Sequence, residues 1–230
     1  MENPINDLRS AIALLQRHEG HYIETDYPVD PNAELAGVYR HIGAGGTVKR
    51  PTLTGPAMMF NSVKGYPGSR ILVGMHASRD RAALLLGCEP SELAKHVGQA
   101  VKKPVAPVVV PASQAPCQEQ VFYADDPDFD LRKLLPAPTN TPIDAGPFFC
   151  LGLVLASDPE DSSLTDVTIH RLCVQERDEL SMFLAAGRHI EVFRKKAEEA
   201  GKPLPVTINM GLDPAIYIGA CFEAPTTPFG

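Results

Sequence analysis

The chain lacks the features that mark membrane, secreted, zinc-binding and nucleic-acid-binding proteins. No apolar run approaches the roughly 20 residues that cross a bilayer, and the N-terminus, MENPINDLRSAIALLQRHEG, is too polar for a signal peptide and too acidic for a transit peptide. No CxxC pair occurs, so the cysteines indicate neither a zinc site nor a disulfide framework. The net charge of -7 argues against a nucleic-acid surface, which is normally basic. We therefore expect a cytoplasmic protein whose partners are neither membranes nor nucleic acids.

Tryptophan is absent too, whereas proline is abundant, at 22 of 230 residues. Each proline fixes φ and removes a backbone donor, so this density predicts many turns and extended segments and argues against a helix bundle. Hydrophobic residues make up 44% of the chain, which is enough for a sizeable core in one large domain or two small ones. The cysteines are odd in number and widely spaced, and we expect reduced, mostly buried thiols at Cys88, Cys117, Cys150, Cys173 and Cys221.

The N-terminal part of the chain predicts helices that alternate with strands. Residues 4–20 predict an amphipathic helix, because apolar residues recur at helical spacing, Asn6 or Asp7 can cap its start and Gly20 can end it. The same reasoning predicts a second helix that ends at a glycine pair, with Pro31 near its first turn. After the first helix we expect a strand over 21–26, a helix over 30–46, a buried strand over 69–78, and two further helices over 78–88 and 90–103.

The composition changes near residue 104, where a proline-rich stretch without helical period begins. We place a domain boundary between 104 and 120 and expect an N-terminal α/β domain over 1–110 and a β-rich domain, a barrel or a sandwich, over 111–230. One helix is expected in the second domain, at about 188–200, because Gly201 and Pro203 follow it. The chain stops in a proline turn, which suggests truncation. The strands expected in this domain are 105–110, 117–123, 149–157, 166–174, 205–210 and 216–222.

Three short motifs admit a functional and a structural interpretation. HIGAGGTVKR, over 41–50, is glycine-rich and basic, but it matches neither a Walker A sequence nor GxGxxG, so a turn after a helix is favoured over a phosphate loop. In MHASRD, His76 could be catalytic, although a solvated histidine beside a helix capped by Ser78 is favoured. YADDPDFD, over 123–130, lacks the glycine and terminal glutamate of a calcium loop, so an exposed acidic turn is favoured.

A polar cluster surrounds a hydrophobic stretch in residues 165–190, TDVTIHRLCVQERDELSMFLAAGRHI. In a regular strand Asp166 and Arg171 point to opposite faces, so they could serve one ligand only at a strand end or a bulge. Asp166 offers an oxygen ligand, and Arg171 offers a planar fork that matches a carboxylate. Arg188 and His189 open a predicted helix, where backbone N–H groups and the dipole favour an anion such as phosphate. Spacing alone leaves surface ion pairs as the alternative.

The spacing DVTIHR, with Arg188 and His189 following 17 and 18 residues after Arg171, resembles the UbiD-like decarboxylases, which use prenylated FMN. The usual form in that family begins with asparagine, so Asp166 is a departure. INMGLDPAIYIGACFEAPTTPFG also resembles the family. YRHIGAGGTVKRP, VGMHASRDRAALLLGC and APVVVPASQAPCQEQ resemble its 3,4-dihydroxybenzoate (protocatechuate) decarboxylase branch. The resemblance is collinear and covers all 230 residues.

The resemblance implies a role for each matching residue. Asp166 and His189 would bind a divalent metal, Mn²⁺ or Mg²⁺, that bridges to the cofactor phosphate, and a potassium ion could accompany it. Arg171 would hold the substrate carboxylate. The cofactor would be lined by Asp166, Thr168, Ile169, His170, Arg171, Phe183, Leu184, Ala185, Arg188 and His189.

The resemblance also implies an architecture and a reaction. An N-terminal α/β domain would precede a flavin-binding split β-barrel, incomplete in this chain, and a C-terminal domain would support a homo-oligomer. Loss of CO₂ from an aromatic acid leaves electrons out of conjugation with the ring, so an electron-sink cofactor is needed. The expected activity is non-oxidative decarboxylation of 3,4-dihydroxybenzoate to catechol, with a flavin prenyltransferase as the supplier of the cofactor.

The family's acid and its third metal ligand are glutamates that would lie past residue 230, so we expect the chain alone to be inactive. Two alternatives remain open at this point. One is a non-catalytic module that binds a flavin or a nucleotide phosphate, and the other is a decarboxylase that acts on a different (hetero)aromatic acid.

Overall fold

The computed structural model describes residues 5–46 and 54–222, and two separate sheets organise it. None of the helices in these residues is long and apolar enough to cross a membrane. The strands are β1 Tyr22–Thr25, β2 Ala57–Phe60, β3 Ile71–Val73, β4 Phe148–Ser157, β5 Thr165–Val174, β6 Leu180–Met182 and β7 Val206–Asn209. The α-helices are α1 Leu8–Gln16, α2 Glu34–Ala44, α3 Arg79–Leu85, α4 Leu93–Ala100, α5 Leu131–Leu134, α6 His189–Glu199 and α7 Pro214–Gly219.

The first sheet has the order β1-β2-β3, with β1 parallel and β3 antiparallel to the central strand. All four residues of β2 are buried, because apolar clusters cover both sides of the sheet. One cluster joins the sheet to α1 through Ala11 and Leu15, and the other joins it to α2 through Leu35. The part of the chain before residue 104 is therefore α/β, as the sequence predicts.

Local sequence signals set the helix boundaries. The carboxylate of Asp7 accepts a hydrogen bond of 2.6 Å from the backbone N–H of Ser10, which confirms the predicted cap of α1. Ser78 caps α3 in the same way. The second helix begins at Glu34, three residues beyond Pro31, and ends at Gly45, whose φ of 81° is readily adopted only by glycine.

A buried arginine joins the loops beneath the first sheet. Arg81, on α3, is only 1% exposed. Its guanidinium donates to three backbone carbonyls, those of Met75 (3.1 Å), Gly74 (2.9 Å) and Gly55 (3.1 Å). A buried cation is tolerated only when it is hydrogen-bonded, so these carbonyls hold α3 against the end of β3 and the start of β2.

The second sheet is antiparallel throughout, in the order β6-β5-β4-β7. The helix α6 packs on it through Ile190 and Phe193, which belong to the same apolar core as Phe149 and Val154 of β4. Because α6 begins beside β5 and packs across the sheet, the polar residues at its start lie next to those on the strand.

Hydrogen bonds connect the segments that flank the two sheets. The amide of Ala33 donates to the carbonyl of Thr139 (2.8 Å), and the amide of Thr139 donates to the carbonyl of Pro31 (3.1 Å). The hydroxyl of Tyr66 donates to the carbonyl of Arg132 (2.6 Å). These bonds tie the loop before α2 and the end of the first sheet to the segment that leads into β4.

Several predictions from the sequence are wrong, and each error has a physical reason. Residues 105–110 and 117–123 form no strands, because prolines interrupt the first segment and both are exposed without a partner strand. Residues 216–222 do not form a strand either, because Asp213 caps a helix there and Pro214 occupies its first turn. The predicted buried strand over 69–78 shrinks to three half-buried residues. The strands β2 and β6 were not predicted.

The remaining motifs are partly confirmed. Of the predicted acidic turn over 123–130, residues 123–128 are exposed, whereas residues 129 and 130 are half-buried and Asp130 caps α5. Residues 41–44 of the glycine-rich motif are the last turn of α2, Gly45 and Gly46 follow the helix, and residues 47–50 lie outside the described part of the chain. The thiols are free, yet Cys173 is the buried one, whereas Cys117, Cys150 and Cys221 are exposed, so the expectation of mostly buried cysteines is wrong.

Candidate cofactor site

One cavity of about 850 Å³ lies where β5, β6 and the start of α6 meet. Every residue for which the sequence predicts a cofactor contact lies on its wall. The predicted strand segment forms one side of the cavity, and the predicted segment before α6 forms the other. The residues concerned are Asp166, Thr168, Ile169, His170, Arg171, Phe183, Leu184, Ala185, Arg188 and His189.

Residues from both faces of β5 line the cavity, and a bulge in the neighbouring strand lies at one end of this stretch. The pairs Phe149–Leu172 and Gly152–His170 enclose two residues on β4 but only Arg171 on β5. The irregularity therefore lies in β4, opposite Arg171, whereas the sequence could suggest only that β5 itself was bent. Extra residues on one strand increase the local twist and redirect side chains.

The side chains of Asp166 and His189 are within hydrogen-bond distance of each other on the cavity wall. Nδ1 of His189 lies 3.1 Å from Oδ2 of Asp166, and both side chains are largely buried, at 23% and 16% exposure. Asp166 comes from the second position of β5, and His189 is the first residue of α6. The pairing brings together the two residues that the sequence predicts as metal ligands.

The start of α6 forms part of the cavity wall. Gly187 adopts a φ of 83°, which turns the chain into the helix, and Arg188 is the N-cap residue without a side-chain cap bond. Glu191 in the first turn is buried, and Arg194 donates to both its oxygens, at 2.7 and 2.9 Å. These bonds hold the pKa of Glu191 below its usual range.

One hydrogen bond between two side chains lies on the other wall. Oγ1 of Thr168 lies 2.8 Å from Nε2 of His170. Burial lowers the pKa of His170, and the backbone of Phe183, on the segment that leads into α6, opposes that shift only in part.

Arg171 is exposed on the cavity wall, and its positive charge acts on Asp144. The carboxylate of Asp144 accepts from the amides of Asn140 (3.1 Å) and Thr141 (3.0 Å) and from the hydroxyl of Thr141 (2.9 Å). The two hydrogen bonds from Thr141 lower the pKa of Asp144 most. The bond from Asn140 and the positive charge of Arg171 lower it further. The arginine thus stands beside an ordered acidic turn.

The sequence missed several cavity residues because tertiary packing alone brings them there. Cys150 lies in the β4 bulge, Cys173 lies on β5, and Met182 lies on the unpredicted strand β6. Residues 220–222 close one side after α7. The bulge in β4 has no signature in the sequence, so no local signal could have placed Cys150 at the cavity. Within 5–46 and 54–222, no group of three or more His, Cys, Asp or Glu side chains is placed to hold a metal ion.

A second cavity, of about 1170 Å³, lies between the two sheets and is mostly apolar. Tyr39, His76 and Tyr217 are among the polar groups on its wall. His76 is half-buried, and its Nε2 lies 3.1 Å from the carbonyl oxygen of Pro214. The expected solvated histidine is therefore wrong, although the expected helix cap at Ser78 is confirmed.

Two family models match the chain. The model of the 3-octaprenyl-4-hydroxybenzoate carboxy-lyase N-terminal domain matches residues 13–101. The model of the Rift-related domain of the same enzymes matches residues 108–228, which is more than half of the chain and includes the whole cavity wall described above.

Individual relatives and solved structures agree with these matches. Gallate decarboxylase of Lactiplantibacillus plantarum is 52% identical over 97% of this chain and 46% of its own length. The structure of 3,4-dihydroxybenzoic acid decarboxylase from Enterobacter cloacae, without ligand, is 96% identical, with a TM-score of 0.94 over 99% of this chain and 47% of that one. HmfF from Pelotomaculum thermopropionicum, in an evolved dimeric form with prFMN, is 27% identical, with a TM-score of 0.85 over 96% of this chain and 48% of that one. The chain thus spans about half the length of these relatives.

Proposed function

The chain belongs to the UbiD family of carboxy-lyases, and from this premise we propose that its cavity holds prenylated FMN for the decarboxylation of a hydroxylated aromatic acid. The substrate we propose is 3,4-dihydroxybenzoate, which would yield catechol and CO₂. One observation carries the proposal. All ten residues that match the family's cofactor segments, from two stretches of sequence, lie around a single cavity.

The cavity fits a flavin mononucleotide in size and in the chemistry of its ends. Its volume of about 850 Å³ lies within the range of roughly 300–1,000 Å³ typical of small-molecule sites. The start of α6 offers backbone N–H groups and a positive dipole end for the phosphate, with Arg188 beside them. Phe183 and Leu184 offer apolar surface for the ring system.

Asp166 and His189 fit one edge of a divalent metal site. Adjacent ligands of an octahedral ion at about 2.1 Å lie about 3 Å apart, and the two side-chain atoms are separated by 3.1 Å. A carboxylate suits Mn²⁺ or Mg²⁺, and such an ion would offset the charge of the cofactor phosphate. We propose that these two residues hold that metal, and that a potassium ion can bind nearby.

The residues on the arginine side would position the substrate. The guanidinium of Arg171 can donate two parallel hydrogen bonds to the carboxylate of the acid, which fixes the bond to be broken relative to the flavin. When bound, prenylated FMN supplies the electron sink that no side chain offers. The apolar side chains of Phe183 and Leu184 would exclude water from the reacting carbon.

We also propose how this site fits the larger protein. The first sheet and its helices form an N-terminal domain over 1–110, and the antiparallel sheet over 111–230 is the first part of a flavin-binding split β-barrel. The open order β6-β5-β4-β7 and the match to a Rift-related domain support this assignment. A homo-oligomer in the cytoplasm, supplied with cofactor by a flavin prenyltransferase, completes the proposal.

Gallate is the second candidate substrate. It differs from 3,4-dihydroxybenzoate by one additional hydroxyl, and the 52% identity to a gallate decarboxylase favours it specifically. Both acids carry the carboxylate that Arg171 would bind. The choice between them depends on groups that contact the far side of the ring.

The test measures CO₂ release by the whole protein, reconstituted with prenylated FMN, from 3,4-dihydroxybenzoate and from gallate in parallel. We expect release from the first acid, and none from the same protein without flavin. Faster turnover of gallate would favour the second candidate. A protein that binds the flavin fully and releases CO₂ from neither acid would contradict the proposed function.

A further inference from the structure

The charged side chains on the wall of the second cavity, between the two sheets, are all of one sign. Within the described part of the chain they are Arg40 and Arg70, and neither aspartate nor glutamate lines this cavity. Burial lowers the pKa of His76, so near neutral pH the two guanidiniums are the cationic groups of the wall. In the cofactor cavity, by contrast, acidic and basic side chains are mixed. The second cavity therefore favours an anionic occupant.

Arg70 has the placement of a residue that binds a ligand. It comes directly before β3, is exposed to solvent and lines the cavity. Its side chain forms no hydrogen bond or ion pair with any residue in the described ranges. The guanidinium is thus available to a carboxylate, which it matches as a planar fork with two parallel N–H donors.

The rest of the wall is mostly apolar and carries several rings. His76 and Tyr217 are in contact at a centroid distance of 5.6 Å, and the rings of Tyr39 and Phe148 also line the cavity. Aromatic rings pack favourably against one another, face to face with an offset or edge to face. The volume of about 1170 Å³ is ample for a ring that carries a carboxylate. A small, strongly hydrated inorganic anion would gain nothing from such a wall.

We propose that the second cavity is a binding site for an aromatic carboxylate, with its ring among Tyr39, His76 and Tyr217 and its carboxylate at Arg70. This site is distinct from the one proposed at Arg171, which lines the cofactor cavity and not this one. The inference goes beyond the proposed function and does not depend on it, because the charge and the rings belong to a different cavity.

The first arm of the test measures binding of 3,4-dihydroxybenzoate to the whole, flavin-free protein by equilibrium dialysis. The protein carries Arg171→Ala, so the arginine of the cofactor cavity cannot hold the acid. We expect saturable binding at one site per chain. Absence of saturable binding would overturn the inference. Octanoate that binds as tightly as the aromatic acid would overturn the aromatic class of the ligand.

Arg70→Ala, added to that protein, should weaken binding by at least about threefold, because the carboxylate loses a charged, two-pronged donor. Arg9→Ala, an exposed arginine on α1, is the matched control and should leave the affinity unchanged. Equal affinity with and without Arg70 would overturn the placement of the carboxylate.

The second arm fills the cavity from Gly37 on α2. Gly37 lines the cavity, and a Cβ atom at this position meets no other atom within 4 Å. Leucine and alanine are also better helix formers than glycine, so both substitutions suit the helix. We expect Gly37→Leu to weaken binding of the acid by at least about tenfold through loss of space, and Gly37→Ala to bind within about twofold of its parent. Urea unfolding checks that both variants fold.

A folded Gly37→Leu protein that binds the acid as tightly as its parent would overturn the inference. Failure of the proposed function has a different signature, since it appears as absence of CO₂ release by the flavin-loaded wild-type protein. The binding measurements need neither flavin nor turnover, so the two failures are distinguishable.

Discussion

Nδ1 of His189, at the first position of α6, lies 3.1 Å from Oδ2 of Asp166, near the start of β5. The two residues are 23 positions apart in sequence. The turn through β6 and the packing of α6 on the sheet bring them together at the edge of the cavity. Each atom comes from a regular secondary-structure element, which suits the divalent metal site that we propose for this pair.

The first prediction concerns Asp166. Asp166→Ala removes one oxygen ligand, so the whole protein should keep less divalent metal and less flavin after gel filtration, because the metal offsets phosphate charge. Asp166→Asn should keep most of both, since asparagine retains an oxygen ligand and is the usual residue of the family. Metal content by mass spectrometry and flavin absorbance measure the two quantities.

Asp178→Ala is the matched control for that experiment, because Asp178 is exposed and lies outside the cavity wall. It should leave metal and flavin at wild-type levels. Equal flavin content in Asp166→Ala and the wild type would contradict the metal-bridge role.

The second prediction separates substrate binding from cofactor binding. Arg171→Ala should lower CO₂ release from 3,4-dihydroxybenzoate by at least about a hundredfold, because the carboxylate loses the fork that positions it. Arg171→Lys should also lose most activity, since a lysine cannot form the two parallel bonds. Both variants should retain flavin. Arg9 is exposed on α1, so Arg9→Ala is the control for the loss of an arginine and should leave CO₂ release unchanged. Near-normal turnover by Arg171→Ala would show that another group holds the carboxylate.

The third prediction tests the buried guanidinium. Arg81→Ala removes the guanidinium donor from the carbonyls of Met75 and Gly55 in a buried region, whereas the carbonyl of Gly74 still accepts from the amide of Ala77 (3.1 Å). Each unsatisfied acceptor costs about 1–3 kcal/mol, so the free energy of unfolding should fall by at least about 2 kcal/mol. Arg81→Lys should recover only part of the loss, because one ammonium cannot reach three carbonyls in the same geometry. Urea unfolding measures both, and a loss below about 1 kcal/mol for Arg81→Ala would contradict this role.

The sequence predicts the elements whose signals are local. The cap at Asp7, the helix that ends near Gly201, and the strand that carries Asp166 and Arg171 all depend on neighbours within a few residues, and the structure confirms them. Residue spacing together with the family resemblance therefore placed all the candidate cofactor residues on two segments that the fold brings together.

The errors arise where strand pairing or burial decides the structure. AMMF, which forms β2, has no alternation of polar and apolar residues, because both faces are buried. The β-branched run over 105–110 looks like a strand but has no partner to pair with. Cys150 reaches the cavity through a bulge that exists only because β4 pairs with β5 in that register. None of these features is encoded within a few residues.

The last prediction concerns the pH dependence of stability through His76. Nε2 of His76 lies 3.1 Å from the carbonyl of Pro214, and its ring contacts that of Tyr217 at a centroid distance of 5.6 Å. Burial, which dominates, and the charge of Arg81 lower the pKa of His76 below its ordinary value, whereas the bond to Pro214 raises it. The folded state therefore binds the proton less readily than the unfolded state. Stability is complete above the unfolded pKa, near 6.5, and is lost as the pH falls toward the folded pKa.

Substitution by glutamine isolates this contribution. The amide of His76→Gln can still donate to Pro214 but does not titrate, so its free energy of unfolding should fall less than that of the wild type between about pH 7 and pH 5. The pKa values of His21 and His170 are lowered in the same direction by burial, so part of the acid loss should remain in the variant. His96→Gln, on the exposed face of α4, should keep the wild-type slope. Denaturant unfolding at a series of pH values gives the slopes. A His76→Gln slope equal to that of the wild type would show that His76 titrates alike in both states, and that its bond to Pro214 does not depend on a neutral ring.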